Sequence, residues 1–215
     1  MIKRHKLRNV SLRYFIALTV VLLSMQIGCR KKGQENAAIS SVPQDSALLP
    51  IADRGWDESR PDTSVGWCAE ACIQMAMGYF GKEVTQEAIN KAGKPAAHDL
   101  HSEDIKTALD SFKVSSISWD EGVTSIDSFA LWIRGQIRAK HPVLCGMKLY
   151  PDENSSWAFD HFALAVGFNK EGFIINTDLD GQQLLTYKQL GSTNPTYSFQ
   201  NNQHLYFARA ITGIR

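Results

Sequence analysis

The stretch SVGWCAEACIQMAMGYFG, Ser64 to Gly81, sets Cys68 and Cys72 four residues apart at the start of a helical pattern, just after Gly66 and Trp67. A disulfide between them is disfavoured, because side chains stacked one helical turn apart along the axis have poor bridging geometry. A redox pair would space them C-x-x-C, one residue closer. Zinc would need four ligands, and the nearest further donors, His98 and His101, sit in a segment leading into another helix. A nucleophile suits the position best. The first turn of a helix offers unpaired backbone N–H groups and the positive end of the dipole, which favour thiolate over thiol. The same N–H groups can receive an oxyanion.

A nucleophilic thiol needs a base and a group to orient that base. His161 opens the apolar run HFALAVGF, and Asp178 closes the next run, GFIINTD. The intervening NKEG reads as a tight hairpin. Folding there brings the start of one strand beside the end of the other, so His161 and Asp178 become neighbours at one edge of a sheet. A carboxylate could then hold one imidazole nitrogen while the other faces a thiol. On these residues alone, a rim histidine and a turn aspartate explain the pattern too.

These groups depend on two kinds of element for their positions. The first half of the domain is helical. Ala71, Cys72, Met75, Ala76 and Tyr79 share a face before Gly81. VTQEAINKAG has Thr85 as N-cap and Gly93 as stop. HSEDIKTALDSF has Ser102 as cap with Glu103 and Asp104 in the first turn. Ile126, Phe129, Ile133 and Ile137 mark a fourth helix over Ser125–Lys140. The second half reads as short strands at Pro142–Tyr150, His161–Phe168, Gly172–Asp178, Leu184–Tyr187 and His204–Ile211. Helices followed by an antiparallel sheet predict an α+β domain with the helices on one side of the sheet. Cys145 alternates with Val143 and Met147 in an apolar strand and reads as core.

Residues 1–28 read as a secretory signal, with Lys3, Arg4, Lys6, Arg8 and Arg13 ahead of the 12-residue apolar run Tyr14–Met25. Gly28 followed by Cys29 resembles the lipobox of bacterial lipoproteins, which implies lipidation of Cys29 and a membrane anchor, although Gln26 stands where leucine is usual. Loss of the signal removes five basic residues and no acidic ones, taking the formal charge from +1 to −4. That charge gives no basic footprint for nucleic acid. Residues 29–53, polar with Pro43 and Pro50, are expected to be a flexible tether. Residues 54–215 are one domain's worth, about 160 residues able to bury a single core. Export also places the thiols of Cys68, Cys72 and Cys145 where disulfides can form, and three is an odd number.

Together, WCAEACIQMAMGYFG, HPVLCGMKLY and HFALAVGF…GFIINTD resemble the papain-like cysteine peptidases, in particular the bacterial group related to double-glycine leader peptidases. The likeness runs from Ser64 to Leu179. It implies an N-terminal helical half carrying the nucleophile, packed on a C-terminal antiparallel sheet. It further implies Cys68 as nucleophile, His161 as general base and acid, and Asp178 as the orienting carboxylate, with Asn176 in reserve and Cys72 in the helix core. The implied activity is hydrolysis of peptide or other amide bonds through a thioacyl-enzyme, with a peptide or protein substrate and neither cofactor nor metal. The expected location is the bacterial cell envelope, on the periplasmic or exterior side. A catalytically silent binding module and an acyl-transfer or cell-wall amidase activity are the alternatives.

Two positions depart from the family pattern. A glutamine is usual about six residues before the cysteine, but Asp62 stands there, leaving Thr63, Ser64 or backbone donors to serve the oxyanion. Loss of one such donor typically costs roughly 100- to 1000-fold in rate. Glu70 also brings a second carboxylate close to the thiol, suited either to a cationic substrate or to the helix end.

Overall fold

Helix α1 (Cys68–Tyr79) is buried on every side from Cys68 to Met77. The apolar stripe predicts an amphipathic helix, but Ala69, Ile73 and Met77 on the other faces are buried as well, with Glu70 and Gln74 buried among them. It ends where Gly81 takes a φ of +78°, a left-handed turn that costs glycine nothing. The computed structural model describes residues 46–57, 66–96, 98–120, 122–149, 159–190, 197–199 and 205–215.

Helix α2 packs beside α1, and α3 packs on α2. In α2 (Gln86–Gly93), Thr85 Oγ1 accepts from the Ala88 amide at 3.1 Å, as its N-cap position predicts. The expected glycine stop is corrected: Lys94 takes the left-handed C-cap conformation. Gly93 is needed instead for close approach, since a Cβ there would stand 2.2 Å from Leu100 Cδ2. In α3 (Ser102–Ser111) the cap is His101 rather than Ser102, and the Asp104 carboxylate accepts from the His101 amide at 3.0 Å. Helix α4 (Ile126–Arg138) is capped by Ser125, whose Oγ accepts from the Ser128 amide.

The strands are β1 (Ala47–Leu48), β2 (Val114–Ser118), β3 (Val143–Met147), β4 (His161–Phe168), β5 (Gly172–Asn176), β6 (Gln182–Thr186) and β7 (Ala208–Ile214). A short helix α5 (Tyr187–Leu190) follows β6. They form one antiparallel sheet in the order β2-β7-β3-β4-β5-β6, and β1 pairs with the far end of β4. The β4–β5 hairpin closes through Asn169, whose amide donates to the Gly172 carbonyl and whose Oδ1 accepts from Glu171 and Gly172. A bulge between Ala165 and Gly167 shifts the register of this pair.

Two expectations change here. Residues 46–53 belong to the fold rather than to a tether: β1 joins the sheet, Leu49 donates to the Val166 carbonyl, and Leu49 and Ile51 lie in the core. The helices also flank both faces of the sheet. Asn176 of β5 reaches Met75 of α1, whereas Phe173, of opposite parity on the same strand, meets Phe199, which packs on Phe129 of α4. Phe129 anchors that second layer, with Trp119, Phe199 and Tyr206 rings 5.1–5.4 Å away. Burying one such ring contributes about 1.5–3 kcal/mol. None of the described helices is long and apolar enough to cross a membrane.

Candidate active site

Cys68 is the first residue of α1, so its backbone N–H is among those a helix leaves without an intrahelical partner. Its exposure is only 9%. The backbone amide of Phe162, the residue after His161, faces the sulfur and favours the thiolate. Burial acts the other way and dominates, reinforced by Asp178, Glu70 and Asp99, so the thiol is held well above its ordinary range. The closed site therefore keeps Cys68 protonated, against what the helix dipole alone predicts.

His161 is the first residue of β4 and 3% exposed. Its Nε2 lies 2.9 Å from the Thr177 carbonyl oxygen and 3.6 Å from Asp178 Oδ1. A carbonyl only accepts, so Nε2 carries the proton, and Nδ1 is left as the basic nitrogen available to a thiol. Among the described residues no hydrogen bond joins Cys68 to His161. Burial lowers the imidazole's affinity for a proton, against the Thr177 carbonyl, Asp160 and Asp180, which raise it.

Asp178 stands two residues beyond β5 with a φ of +58°, a conformation that aspartate tolerates better than most residues but still at a cost. Three neighbours hold it. Trp56 Nε1 donates to Oδ1 at 2.7 Å, the Cys72 thiol donates to Oδ2 at 3.7 Å, and the Asp178 amide donates to Asp53 Oδ1 at 3.1 Å. Burial pushes its carboxyl up to about 9; the Trp56 and Cys72 donors pull it down, while Asp53 and Glu70 push it further up.

Asp178 thus meets His161, and Asn176 does not. Asn176 is fully buried, donates to the Ile51 carbonyl and Met75 Sδ, and accepts from Gln182 Nε2 at 2.9 Å. Its polar atoms are spent on holding β5 to α1 and to residues 46–53. Cys72 is buried in the helix core as expected, but it also touches the carboxylate, a contact the four-residue spacing from Cys68 already hints at. Glu70 neither caps α1 nor faces solvent. Its Oε1 accepts from Asn90 Nδ2 at 2.7 Å and the Leu100 amide at 3.0 Å, and Oε2 has no partner among the described residues. Burial pushes Glu70 up to about 7. Cys145 is fully buried core. Asp62, Thr63, Ser64, Trp157 and Cys29 lie outside the described residues.

Three neighbours had no assignment from the sequence. Trp56 comes from the segment read as irregular. Tyr197 sets its ring edge-on to His161 at 6.0 Å and donates to Asp180 Oδ2 at 2.6 Å. It also lines a cleft of about 280 Å³ with Ile175, Asp180, Leu184 and Gln189. Lys148 forms a buried pair with Asp160, next to His161, at 3.7 Å. Among the described residues no cluster of His, Cys, Asp or Glu could hold a metal ion.

A buried cysteine heads a central helix, and a histidine–aspartate pair comes from an antiparallel sheet, within an α+β domain. Among solved structures, the chain is similar to the peptidase domain of Streptococcus ComA, a bi-functional ABC transporter involved in a quorum-sensing pathway. The TM-score is 0.51 at 9% identity, over 76% of this chain and 98% of that one. It is also similar to a protein from Bacillus anthracis described as a C39-like peptidase (TM-score 0.49, 12% identity, 77% and 96% covered). A third is a double glycine motif protease from an AMS/PCAT transporter, in complex with its leader peptide (TM-score 0.47, 12% identity, 79% and 100% covered). The ComA likeness shows the fold alone, an α+β arrangement shared with that peptidase domain. No family model matches the chain, and no curated protein does.

Proposed function

We propose that the protein is an exported cysteine hydrolase that cleaves peptide or other amide bonds, with Cys68 as nucleophile, His161 as general base and acid, and Asp178 as orienting carboxylate. The observation that carries this is the convergence of three elements. The Phe162 amide meets the Cys68 sulfur, while the adjacent His161 ring sets Nε2 beside the Thr177 carbonyl and Asp178, which leaves Nδ1 as its basic nitrogen. In the reaction, Nδ1 takes the thiol proton as sulfur attacks the carbonyl carbon. The oxyanion is received by N–H groups at the head of α1. His161 then protonates the leaving amine, leaving a thioester on Cys68. Water, deprotonated by His161, releases the acid and restores the thiol.

A peptide substrate is suggested by the likeness to the ComA peptidase domain. Attachment to the membrane through lipidated Cys29, facing the periplasm or exterior, follows from the signal and lipobox pattern of residues 1–29. The test is labelling of the purified protein with an iodoacetamide or epoxide probe. Wild type should label at Cys68, and Cys68→Ala should lose that label; equal labelling of both sinks the assignment.

The closed site favours a second reading, a binding module that keeps the fold without turnover, because burial holds the Cys68 thiol well above its ordinary range. The rate of Cys68 alkylation against pH separates the two. A thiolate already present at neutral pH speaks for the enzyme, and a rate that climbs only in strong alkali speaks for the binding module.

A further inference from the structure

We propose that residues 53–57 form a strap across the His161–Asp178 pair, with Trp56 as a positioning residue that aims Asp178 Oδ1 at the imidazole. This rests on the functional reading above. The indole N–H reaches Asp178 Oδ1 at 2.7 Å, and that same oxygen lies 3.6 Å from His161 Nε2. The far edge of the indole packs on Gly66, two residues before the nucleophile: a Cβ there would stand 2.0 Å from Cη2 and 2.1 Å from Cζ2. Trp56 therefore touches both the carboxylate and the approach to Cys68. On either side of it, Asp53 accepts from the Asp178 amide, and a Cβ on Gly55 would meet the Asp178 carbonyl at 3.5 Å.

The strap is fixed at both ends. Upstream, β1 pairs with β4 and the Leu49 amide donates to Val166. Downstream, buried Gln86 clamps the backbone: its Oε1 accepts from the Asp57 amide at 2.9 Å, and its Nε2 donates to the Gly55 carbonyl at 3.0 Å. Gln86 is itself held by Gln74 of α1 at 3.1 Å. An indole so anchored can define the direction of a carboxylate that sits beyond its strand at positive φ.

Chemically, the N–H stabilises the ionised carboxylate that an imidazolium at His161 requires, against the burial that disfavours it. The titratable groups facing Asp178 are His161 from β4, Cys68, Cys72 and Glu70 from α1, Asp53 from the strap and Tyr197 from residues 197–199. Those facing His161 besides Asp178 are Asp160, Asp180 and Tyr197.

The test is Trp56→Phe, which keeps a ring over Gly66 and removes only the donor, made in both the wild-type and Asp178→Asn backgrounds. In wild type, alkylation of Cys68 at neutral pH should fall about tenfold. The alkaline limb of its pH profile should move to lower pH, because the imidazolium loses support. In Asp178→Asn the same change should alter the rate less than twofold, since Trp56 acts through Asp178. Equal losses in both backgrounds, or no loss in wild type, overturn the proposal. The His161 imidazole titration, followed by NMR, keeps the test separate from the functional reading. If wild-type Cys68 does not alkylate at all, the hydrolase reading fails, and a lower His161 pKa in Trp56→Phe still supports the strap; an unchanged one overturns it.

Discussion

Two buried carboxylates act on the Cys68 thiol, Glu70 from within α1 and Asp178 from beyond β5. Both are raised by burial, Glu70 to about 7 and Asp178 to about 9. Their partners differ in kind. Glu70 spends Oε1 on Asn90 of α2 and on the Leu100 backbone, tying together the segments that pack on α1. Asp178 accepts from two side chains, Trp56 and Cys72, and presents the same face to His161. A perturbed titration alone thus does not identify a catalytic group. What distinguishes the two is that one is bound to Asn90 and the Leu100 backbone, and the other faces an imidazole.

The largest effect should separate them directly. Asp178→Asn, which keeps the shape but cannot supply the carboxylate that an imidazolium at His161 requires, is expected to lower turnover or Cys68 labelling by roughly 10²- to 10⁴-fold. Glu70→Gln keeps an acceptor for Asn90 and Leu100 and is expected to stay within about threefold of wild type, because Glu70 holds those two segments and not the imidazole. Probe labelling kinetics on both variants decide it. Similar losses in the two would break the distinction.

The second expectation concerns stability against pH. Both groups have a folded pKa above the unfolded value, so the folded state binds the extra proton. Their stabilising contribution is complete below about pH 4 and is lost as pH rises, through about 7 for Glu70 and about 9 for Asp178. Urea unfolding midpoints should therefore fall from pH 4.5 to 7. Glu70→Gln should remove a part of that fall on the order of 1–3 kcal/mol. Asp178→Asn should flatten the remaining decline toward pH 9. His161 and His141, lowered by burial, gain stability over the same range, so the deciding comparison is variant against wild type: an equal pH dependence in Glu70→Gln contradicts the assignment for Glu70.

The same contrast explains what could be read from the sequence. His161 and Asp178 were legible because one short hairpin joins their strands, so local pattern alone sets them side by side. Cys68 was legible because helix starts carry local signals. Trp56 meets Asp178 across 122 residues, from a stretch without periodicity, and β1 is two residues long. Nothing local marks either. Strand β2, VSSIS, has too few apolar residues to stand out and owes its place to pairing with β7. The position of α4 on the opposite sheet face depends on which parity of β5 faces α1, which periodicity leaves open. The roles of Asn176 and Asp178 divided on the same ground: both are polar residues at one strand end, and only the tertiary partners assign the first to packing.

Cys72 offers the finest probe of the Asp178 cradle. Its thiol is a weak donor, 3.7 Å from Oδ2, and Oδ2 is not the oxygen that faces His161. Cys72→Ala keeps a small apolar residue inside α1 and removes only that donor. With Trp56 still on Oδ1, the direction of the carboxylate toward His161 should persist, so labelling of Cys68 should change less than about threefold, well below the Trp56→Phe effect. Losing the donor removes one influence that lowers the Asp178 pKa, so the small change should be a decrease. A loss as large as that of Trp56→Phe would mean that both oxygens set the geometry equally. Orientation would then belong to the cradle as a whole rather than to the strap.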